Sequence, residues 1–460
     1  MTRACKPKKV NLLTRSALGP ALASWALALG IAAGGAMVTT PALAAKPSYS
    51  FSKGFQQAAG PLQKALGEAR SRADVTAAKQ KVASATTDQA RAAAKAELAS
   101  ALAPEKAMLE AAYAAVENED DRFVAGNLAL SYGGLADDPA TQRRGLEGML
   151  QSGKVPEADV PKFRFYAGQT AYMMGDYAAA ASSLKAAYDV GYRENNVEAI
   201  LAEAYLANNQ TAQGLAVLRQ GVDQYAATGK PAPVSWYRRG LGAAYKAGSV
   251  NDAVDFGSRL VKAYPAKEHW GGVITVVREI GKYSGQEMLD LLRLMARTNS
   301  FAEERDYVEY IQAIDPRRLP GEALKAIDAG IASGKLKAAD SFVADARSQA
   351  NGRLATDKGS LASYERDARA SGAKEVAVTG AADALLSYGD PAKAEELYQI
   401  ALGKPGVDTA RVLTRLGIAQ ADQGKYAEAQ ATLAKVTGVR KPIANLWSVY
   451  AASKAAPAAQ

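Results

Sequence analysis

The sequence predicts an all-α protein, an α-solenoid of stacked antiparallel helix pairs. The 460 residues are 48% hydrophobic but only 7% aromatic, and their alanine clusters favour helices that pack through small contacts. Apolar residues recur with helical spacing along most of the chain. One helix–turn–helix pattern also repeats at a nearly constant interval. Because a pair of this size cannot bury its apolar face alone, repetition indicates a stack.

The first 44 residues have the pattern of a secretory leader. Five cationic residues precede an apolar run over 17–38, which Pro41 and small residues up to Ala44 follow. This order predicts a signal peptide, 1–44, cleaved after Ala44, and a periplasmic location. A retained membrane anchor is the alternative, since the run is just long enough to span a bilayer. Cys5, the only cysteine, lies in this leader, so the mature chain has no disulfide.

The net charge argues against a nucleic-acid partner. The formal charge is +9, but removal of the five leader cations leaves 51 basic and 47 acidic residues, a charge of +4. So small an excess gives little support to binding of a polyanion. After cleavage of the leader, we expect no integral membrane span.

A polar lead-in and an Ala-rich helical segment occupy 45–117. The sequence leaves open whether this segment packs on the repeats or extends from them. An acidic cluster at 117–121 then precedes a stronger helical pattern. The spacing of the acidic residues does not match a calcium loop, so the cluster is interpreted as a helix start or a solvated loop.

The clearest helix pair is Phe163–Tyr188. Gly175 and Asp176 are typical of the turn between its two helices. Gly168 and Ala180 are small enough for the two helices to cross closely there. This pair therefore serves as the reference for the rest of the chain.

Positions equivalent to Ala180 recur at spacings of 34 to 39 residues, with one step of 71. They are Gly214, Ala253, Met288, Ala323, Ala394 and Ala429. The spacing predicts a repeat array over 118–436 with eight or nine units, degenerate around 331–373. A capping helix over 437–452 and a loose tail, 453–460, are expected to follow.

The repeated positions resemble a known family, the tetratricopeptide repeats of 34 residues. The clearest matches are Gly168, Gly175, Tyr177, Ala180, Leu184 and Ala187, with a second set at Leu416, Gly417, Gly424, Tyr426, Ala429 and Leu433. The whole chain is also similar to exported tetratricopeptide-repeat proteins of Gram-negative bacteria. This resemblance implies a right-handed superhelix whose concave face receives peptides or protein partners.

The resemblance also implies which side chains line that concave face, because the first helix of each pair forms it. The candidate partner-binding residues are Lys162, Phe165, Gln169, Tyr172, Glu203, Arg238, Tyr245, Lys246, Arg411 and Arg415. Core packing is the alternative for the aromatic members of this set. The family's clamp for a terminal carboxylate is not reproduced, since Phe165 and Gln169 stand at two of its positions.

No constellation of catalytic residues is recognised, and no cofactor or metal site is expected. His269 is the sole histidine, so a His-based metal site is ruled out. Gly240 and Gly242 are interpreted as close helix packing, not as nucleotide binding. The acidic group at 303–306 is interpreted as a solvated helix face. Arg317–Arg318 is interpreted as a loop between units, with an anion contact as the second interpretation.

We therefore predict a non-enzymatic exported scaffold or adaptor that binds a protein or peptide of the cell envelope. One alternative is a structural subunit of an outer-membrane or polysaccharide export assembly. The other is an enzyme acting on cell-wall glycan, which would need a pair of working carboxylates. The sequence leaves open the partner's identity, the oligomeric state and whether the face binds peptide or glycan.

Overall fold

The structure, a computed structural model, describes residues 49–455, and these form an all-α solenoid of stacked antiparallel helix pairs. The signal peptide predicted over 1–44 lies outside the described residues, as does most of the predicted tail. Within residues 49–455 there is no strand. The chain divides into two compact units between Val217 and Leu218.

The N-terminal unit consists of consecutive helices that pack on their neighbours. Their bounds are α1 Lys53–Ala69, α2 Ala73–Ser84, α3 Asp88–Ala101, α4 Ala103–Ala114, α5 Glu119–Ala136, α6 Pro139–Gln151, α7 Val160–Met173, α8 Tyr177–Asp189 and α9 Val197–Ala207. The next helix, α10 Thr211–Ala227, contains the division between the units.

The Ala-rich segment packs on the first repeat, which answers a question that the sequence left open. Helices α1, α3 and α4 contact α5. The acidic cluster holds the lead-in against them: Asp120 Oδ2 accepts from Ser50 N at 2.8 Å and Asp121 Oδ1 accepts from Ser52 N at 3.0 Å. The cluster lies in the first turn of α5, as the helix-start interpretation predicted, and Asp121 is buried there, which excludes a solvated loop at that residue.

The reference pair has the geometry that its small residues predict. Gly175 takes a left-handed φ of +81°, and the Asp176 side chain caps α8 by accepting from Ala179 N at 3.1 Å. A Cβ added at Gly168 would lie 2.6 Å from Leu184 Cγ and 3.1 Å from the Ala180 carbonyl oxygen. Only glycine allows α7 and α8 to approach this closely.

The C-terminal unit continues with helix pairs. Their bounds are α11 Val234–Ala247, α12 Val250–Ala263, α13 Lys267–Gly281, α14 Gly285–Arg297, α15 Glu304–Ile314, α16 Pro320–Ala332, α17 Ser341–Arg369, α18 Glu375–Tyr388, α19 Pro391–Leu402, α20 Thr409–Asp422, α21 Tyr426–Leu433 and α22 Lys441–Ala455. The predicted capping helix corresponds to α22, which continues three residues into the predicted tail.

A single long helix replaces the degenerate unit expected around 331–373. Helix α17 runs without interruption for 29 residues. Asp340 starts it by accepting from Phe342 N and Val343 N. Neither Gly352 nor Gly359 takes a positive φ, so neither turns the chain within it.

After α17 the pairs pack in a different way. Helices α18, α20 and α22 correspond to first helices of the repeat, yet they contact second helices of earlier pairs. Helix α22 contacts α12 and α14, α20 contacts α14, and α18 contacts α16. Earlier helices of the same unit therefore fill the inner side of its last pairs. The C-terminal unit does not form a continuous open concave face.

Candidate interaction surface

Helix α11 has one exposed face and one face that packs in the core. Trp236, Tyr237 and Leu241 face inward and are buried. Arg238, Gly242 and Tyr245 face outward at helical spacing, and Tyr245 is 45% exposed. Gly248, with φ of +65°, ends the helix.

The adjacent first helix, α13, contacts α11 and extends this surface. His269 Nδ1 lies 2.9 Å from the Tyr264 carbonyl oxygen, and His269 Nε2 lies 3.2 Å from Arg238 Nη2. Since a carbonyl only accepts and a guanidinium only donates, we assign the proton to Nδ1. Arg238 Nη2 therefore donates to His269 Nε2.

At the other end of the surface, Tyr245 hydrogen-bonds Glu279 of α13, and this bond raises the pKa of Tyr245. Gly272 of α13 is exposed, as is Gly242 of α11, and a Cβ added at either would meet only open space. We name the outward-facing residues of these two helices, all exposed except the half-buried His269, the α11–α13 surface. Its members are Arg238, Gly242, Tyr245, Lys246, His269, Gly272 and Glu279.

The composition of this surface suits recognition of an extended chain. On α11 the surface carries two cationic side chains, Arg238 and Lys246, and no acidic one, and α13 contributes Glu279. Tyr245 offers an aromatic face with a polar tip, a combination enriched at protein interfaces. The two exposed glycines would let a partner's backbone approach both helices closely.

The candidates in the N-terminal unit are mostly covered. Phe165 is 1% exposed and packs on Tyr166 and Tyr192, with ring centroids 5.3 and 5.1 Å away. It is a core residue and is withdrawn as a surface residue. Tyr172 is half-buried and packs on Tyr177. The remaining candidates of this unit are also half-buried: Lys162, Gln169 and Glu203.

Arg415 is withdrawn as well, because it is 1% exposed and bound within the chain. Its Nε lies 3.1 Å from Asp290 Oδ1, its Nη1 lies 2.6 Å from Asp383 Oδ2 and its Nη2 donates to Gln286. Arg411 donates to the same Asp383 oxygen at 2.6 Å. The groove expected at these two arginines is thus occupied by α14 and α18.

These contacts belong to a buried ionic cluster in the C-terminal unit. Asp290 also accepts from Arg440 Nη1 at 2.6 Å, and its carbonyl oxygen accepts from Trp447 Nε1. Arg293 forms a two-pronged bond with Glu322, at 2.8 and 2.7 Å. We name this set the Asp290 cluster. Its members are Asp290, Arg293, Glu322, Asp383, Arg411, Arg415 and Arg440.

Burial and charge act in opposite directions on the carboxylates of the cluster. Burial alone would raise the pKa of Asp383, but the guanidinium groups of Arg415 and Arg411 outweigh it and hold that pKa well below its usual range. In the same way, burial would raise the pKa of Glu322, and Arg293 lowers it. Both groups are ionised in the folded chain at neutral pH.

Sequence reasoning missed Asp290, Arg293 and Asp383, although two of them left a signal. Asp290 and Arg293 interrupt an apolar run on α14 at a spacing of three residues, where a buried pair would face one direction. Asp306 was also misjudged as solvated. It is buried and pairs with Arg278 at 3.1 Å.

The described part of the chain contains no candidate metal site. Among residues 49–455, no group of three or more His, Cys, Asp or Glu side chains is arranged to hold an ion. Over the same residues, no helix combines the length and apolarity needed to cross a bilayer. His269 makes contacts that position Arg238 and has no carboxylate among its hydrogen-bond partners.

Comparison with known proteins gives distant structural likenesses only. No protein-family model and no curated protein sequence matches the chain. The TPR2AB-domain:pHSP90 complex of yeast Sti1 is 12% identical, covers 65% of this chain and 96% of that chain, and has a TM-score of 0.22. The structure of Naa15/Naa10 bound to HypK-THB is 12% identical, and the match covers 85% of this chain and 70% of that chain with a TM-score of 0.27. The description of the fold therefore rests on the helices themselves.

Proposed function

We propose that this protein is a non-enzymatic scaffold or adaptor that binds a protein or peptide partner through the α11–α13 surface. The observation that carries the proposal is the contrast in exposure among the candidate residues. Arg238, Tyr245 and Lys246 are exposed side by side on α11, whereas Phe165 and Arg415 are buried in the core. An interaction protein needs an accessible set of anchors, and aromatic and arginine side chains are the usual ones.

The partner is a cell-envelope protein or peptide, and the protein itself is exported to the periplasm. The leader pattern over 1–44 supports this part of the proposal. N-terminal sequencing of the protein purified from cells tests it, and a mature chain that begins at Ala45 is the expected result. A chain that retains residues 1–44 would overturn the cleavage and favour the anchor.

A matched pair of triple variants tests the surface. One variant carries Arg238→Ala, Tyr245→Ala and Lys246→Ala. The control variant carries Arg353→Ala, Lys358→Ala and Tyr364→Ala, which removes the same residue types from exposed positions on α17. Affinity capture from envelope extract, compared by quantitative mass spectrometry, should lose the specific partner only with the α11 variant.

The proposal fails if the α11 variant and the wild-type protein retain the same partners in the same amounts. A partner lost with both variants would equally contradict it, because the two surfaces share only composition. Hydrolysis of purified peptidoglycan by the wild-type protein, abolished by one carboxylate substitution, would instead indicate an enzyme.

A further inference from the structure

The carboxylate of Asp383 is surrounded by more positive charge than it can neutralise. Its Oδ2 atom lies 2.6 Å from Arg411 Nη2, 2.6 Å from Arg415 Nη1 and 3.5 Å from Arg318 Nη2. The other oxygen, Oδ1, accepts from the Tyr398 hydroxyl at 2.7 Å. Three guanidinium groups therefore share one carboxylate whose hydrogen-bonding capacity is largely used.

The other acidic groups of the cluster do not compensate for this excess. Asp290 is shared by Arg440, Arg415 and Arg293, and Glu322 is held by Arg293. Glu287 lies at the far side, 3.8 Å from Arg440. The uncompensated charge is thus concentrated on the Asp383 side of the cluster.

This charge reaches the protein surface. The Arg415 side chain is buried, but the side chains of Arg411 and Arg318 are 21% and 46% exposed. Arg411 Nε is buried and has no hydrogen-bond partner within the described part of the chain. Arg318 Nη2 is at ion-pair distance but beyond a good hydrogen bond from Asp383. Arg318 therefore retains exposed donors for a further acceptor, and the partly exposed Arg411 adds a second positive charge beside it.

Local backbone structure holds both arginines in place. Asp315 organises the turn before α16, where its carbonyl oxygen accepts from Arg318 N at 2.8 Å. Its side chain is already used by Arg317. Asp408 caps α20 by accepting from Arg411 N at 3.0 Å. These bonds fix the backbone at both arginines, and the shared Asp383 Oδ2 places their guanidinium groups beside each other.

We propose that Arg318 and Arg411 form a binding site for an anionic group, a phosphate or a carboxylate. Guanidinium groups bind both through paired N–H donors, and two of them beside each other can hold one such group from two sides. An anion here would accept from Arg318 and balance the excess charge at the rim of the Asp383 site. The site does not depend on the α11–α13 surface, so either proposal can fail without the other.

Isothermal titration calorimetry of the full chain tests the site, with inorganic phosphate in one arm and a hexaglutamate peptide in the other. Ionic strength is held constant with potassium chloride, so that screening does not imitate binding. Saturable binding of either probe by the wild-type chain is expected. Phosphate alone would indicate a free anion, and tighter binding of the peptide would indicate an acidic protein segment.

Arg318→Ala is the main variant, because Arg318 is half-exposed and its ion pair with Asp383 is long. It should weaken binding by about tenfold or more, as loss of a charge-assisted bond predicts. Arg353→Ala is the control, since it removes one exposed cation elsewhere in the unit and should bind like the wild type. Arg411→Lys is a second variant that keeps the charge near Asp383 but loses the planar fork, and it should also bind more weakly.

Two results would overturn the site. One is the absence of saturable binding of both probes by the wild-type chain. The other is equal affinity in the wild type, Arg318→Ala and Arg411→Lys.

Discussion

Asp290 and Arg415 are 125 residues apart in sequence, yet their side chains form a buried ion pair with Oδ1 and Nε 3.1 Å apart. Asp290 belongs to α14 and Arg415 to α20, so this contact joins the middle of the C-terminal unit to its last pairs. Trp447 of α22 adds a hydrogen bond to the Asp290 carbonyl oxygen at 2.9 Å. The unit is therefore closed by polar contacts around one helix.

Replacement of Asp290 should destabilise the C-terminal unit strongly. Asp290→Asn removes the close carboxylate partner of the buried Arg440 and leaves Arg415 with Asp383 alone. Loss of one partner of a buried ion pair typically costs about 3 to 5 kcal/mol. Urea unfolding followed by tryptophan fluorescence measures it, because Trp236, Trp270 and Trp447 all lie in this unit. Arg305→Ala, in an exposed pair with Glu309, is the control and should cost about 0 to 1 kcal/mol. Similar midpoints for the two variants would contradict the role of the cluster.

Two glycines on α11 should respond in opposite directions to the same substitution. A Cβ at Gly240 would overlap the buried Phe256 ring, so Gly240→Ala should destabilise the unit by about 1 to 3 kcal/mol. A Cβ at Gly242 would meet open space, so Gly242→Ala should stabilise it by about 0.5 to 1 kcal/mol. The same fluorescence measurement compares them. Equal changes in stability for the two variants would contradict the close approach of Gly240 on α11 to Phe256 on α12.

The stability of the C-terminal unit should fall in acid because of Asp383 and Glu322. Their pKa values are lower in the folded chain than in the unfolded chain. Their contribution is therefore complete above the unfolded pKa, about 4, and is lost as pH falls towards the folded pKa. Urea midpoints measured from pH 7 to pH 3 should decrease less steeply for Asp383→Asn than for the wild type. Parallel pH profiles would show that Asp383 is not held ionised by its arginines.

Phe165 should matter for folding and not for partner binding. Its ring is buried, so Phe165→Ala should cost about 3 to 5 kcal/mol. Hydrogen exchange of α7 and α8 measures the loss as faster exchange of both helices. Phe165→Leu refills most of the volume of the ring, so this variant should capture the partner as the wild-type protein does. Loss of capture with normal protection in Phe165→Leu would return Phe165 to the set of candidate binding residues.

Local spacing predicted the helix pairs well, because the turn residues and the small residues at a crossing belong to the same short stretch. Gly168, Gly175 and Ala180 occupy the roles that their spacing indicated. The exposure of Phe165 was not predictable in the same way. Helix α7 is buried at every position from Phe165 to Gly168, so no polar side marked its accessible face.

Local sequence patterns could not predict the long-range contacts that close the C-terminal unit. Helix α17 has no repeat spacing, and after it the first helices of the pairs meet the second helices of earlier ones. Arg411 and Arg415 therefore stand at groove positions by their repeat register but contact α14 and α18. The pairing of Asp290 with Arg415 depends on this long-range arrangement, which no single repeat encodes.

Site-specific photo-crosslinking tests the central claim, that the α11–α13 surface receives a protein or peptide partner. A photoreactive phenylalanine replaces Tyr245 in one variant and Tyr364 in the other, two tyrosines with similar exposures of 45% and 40%. In cells that produce the protein, illumination should yield a discrete higher-mass adduct from position 245 and none from position 364. Arg238→Ala should reduce that adduct. No adduct from position 245, or the same adduct from both positions, would contradict the account.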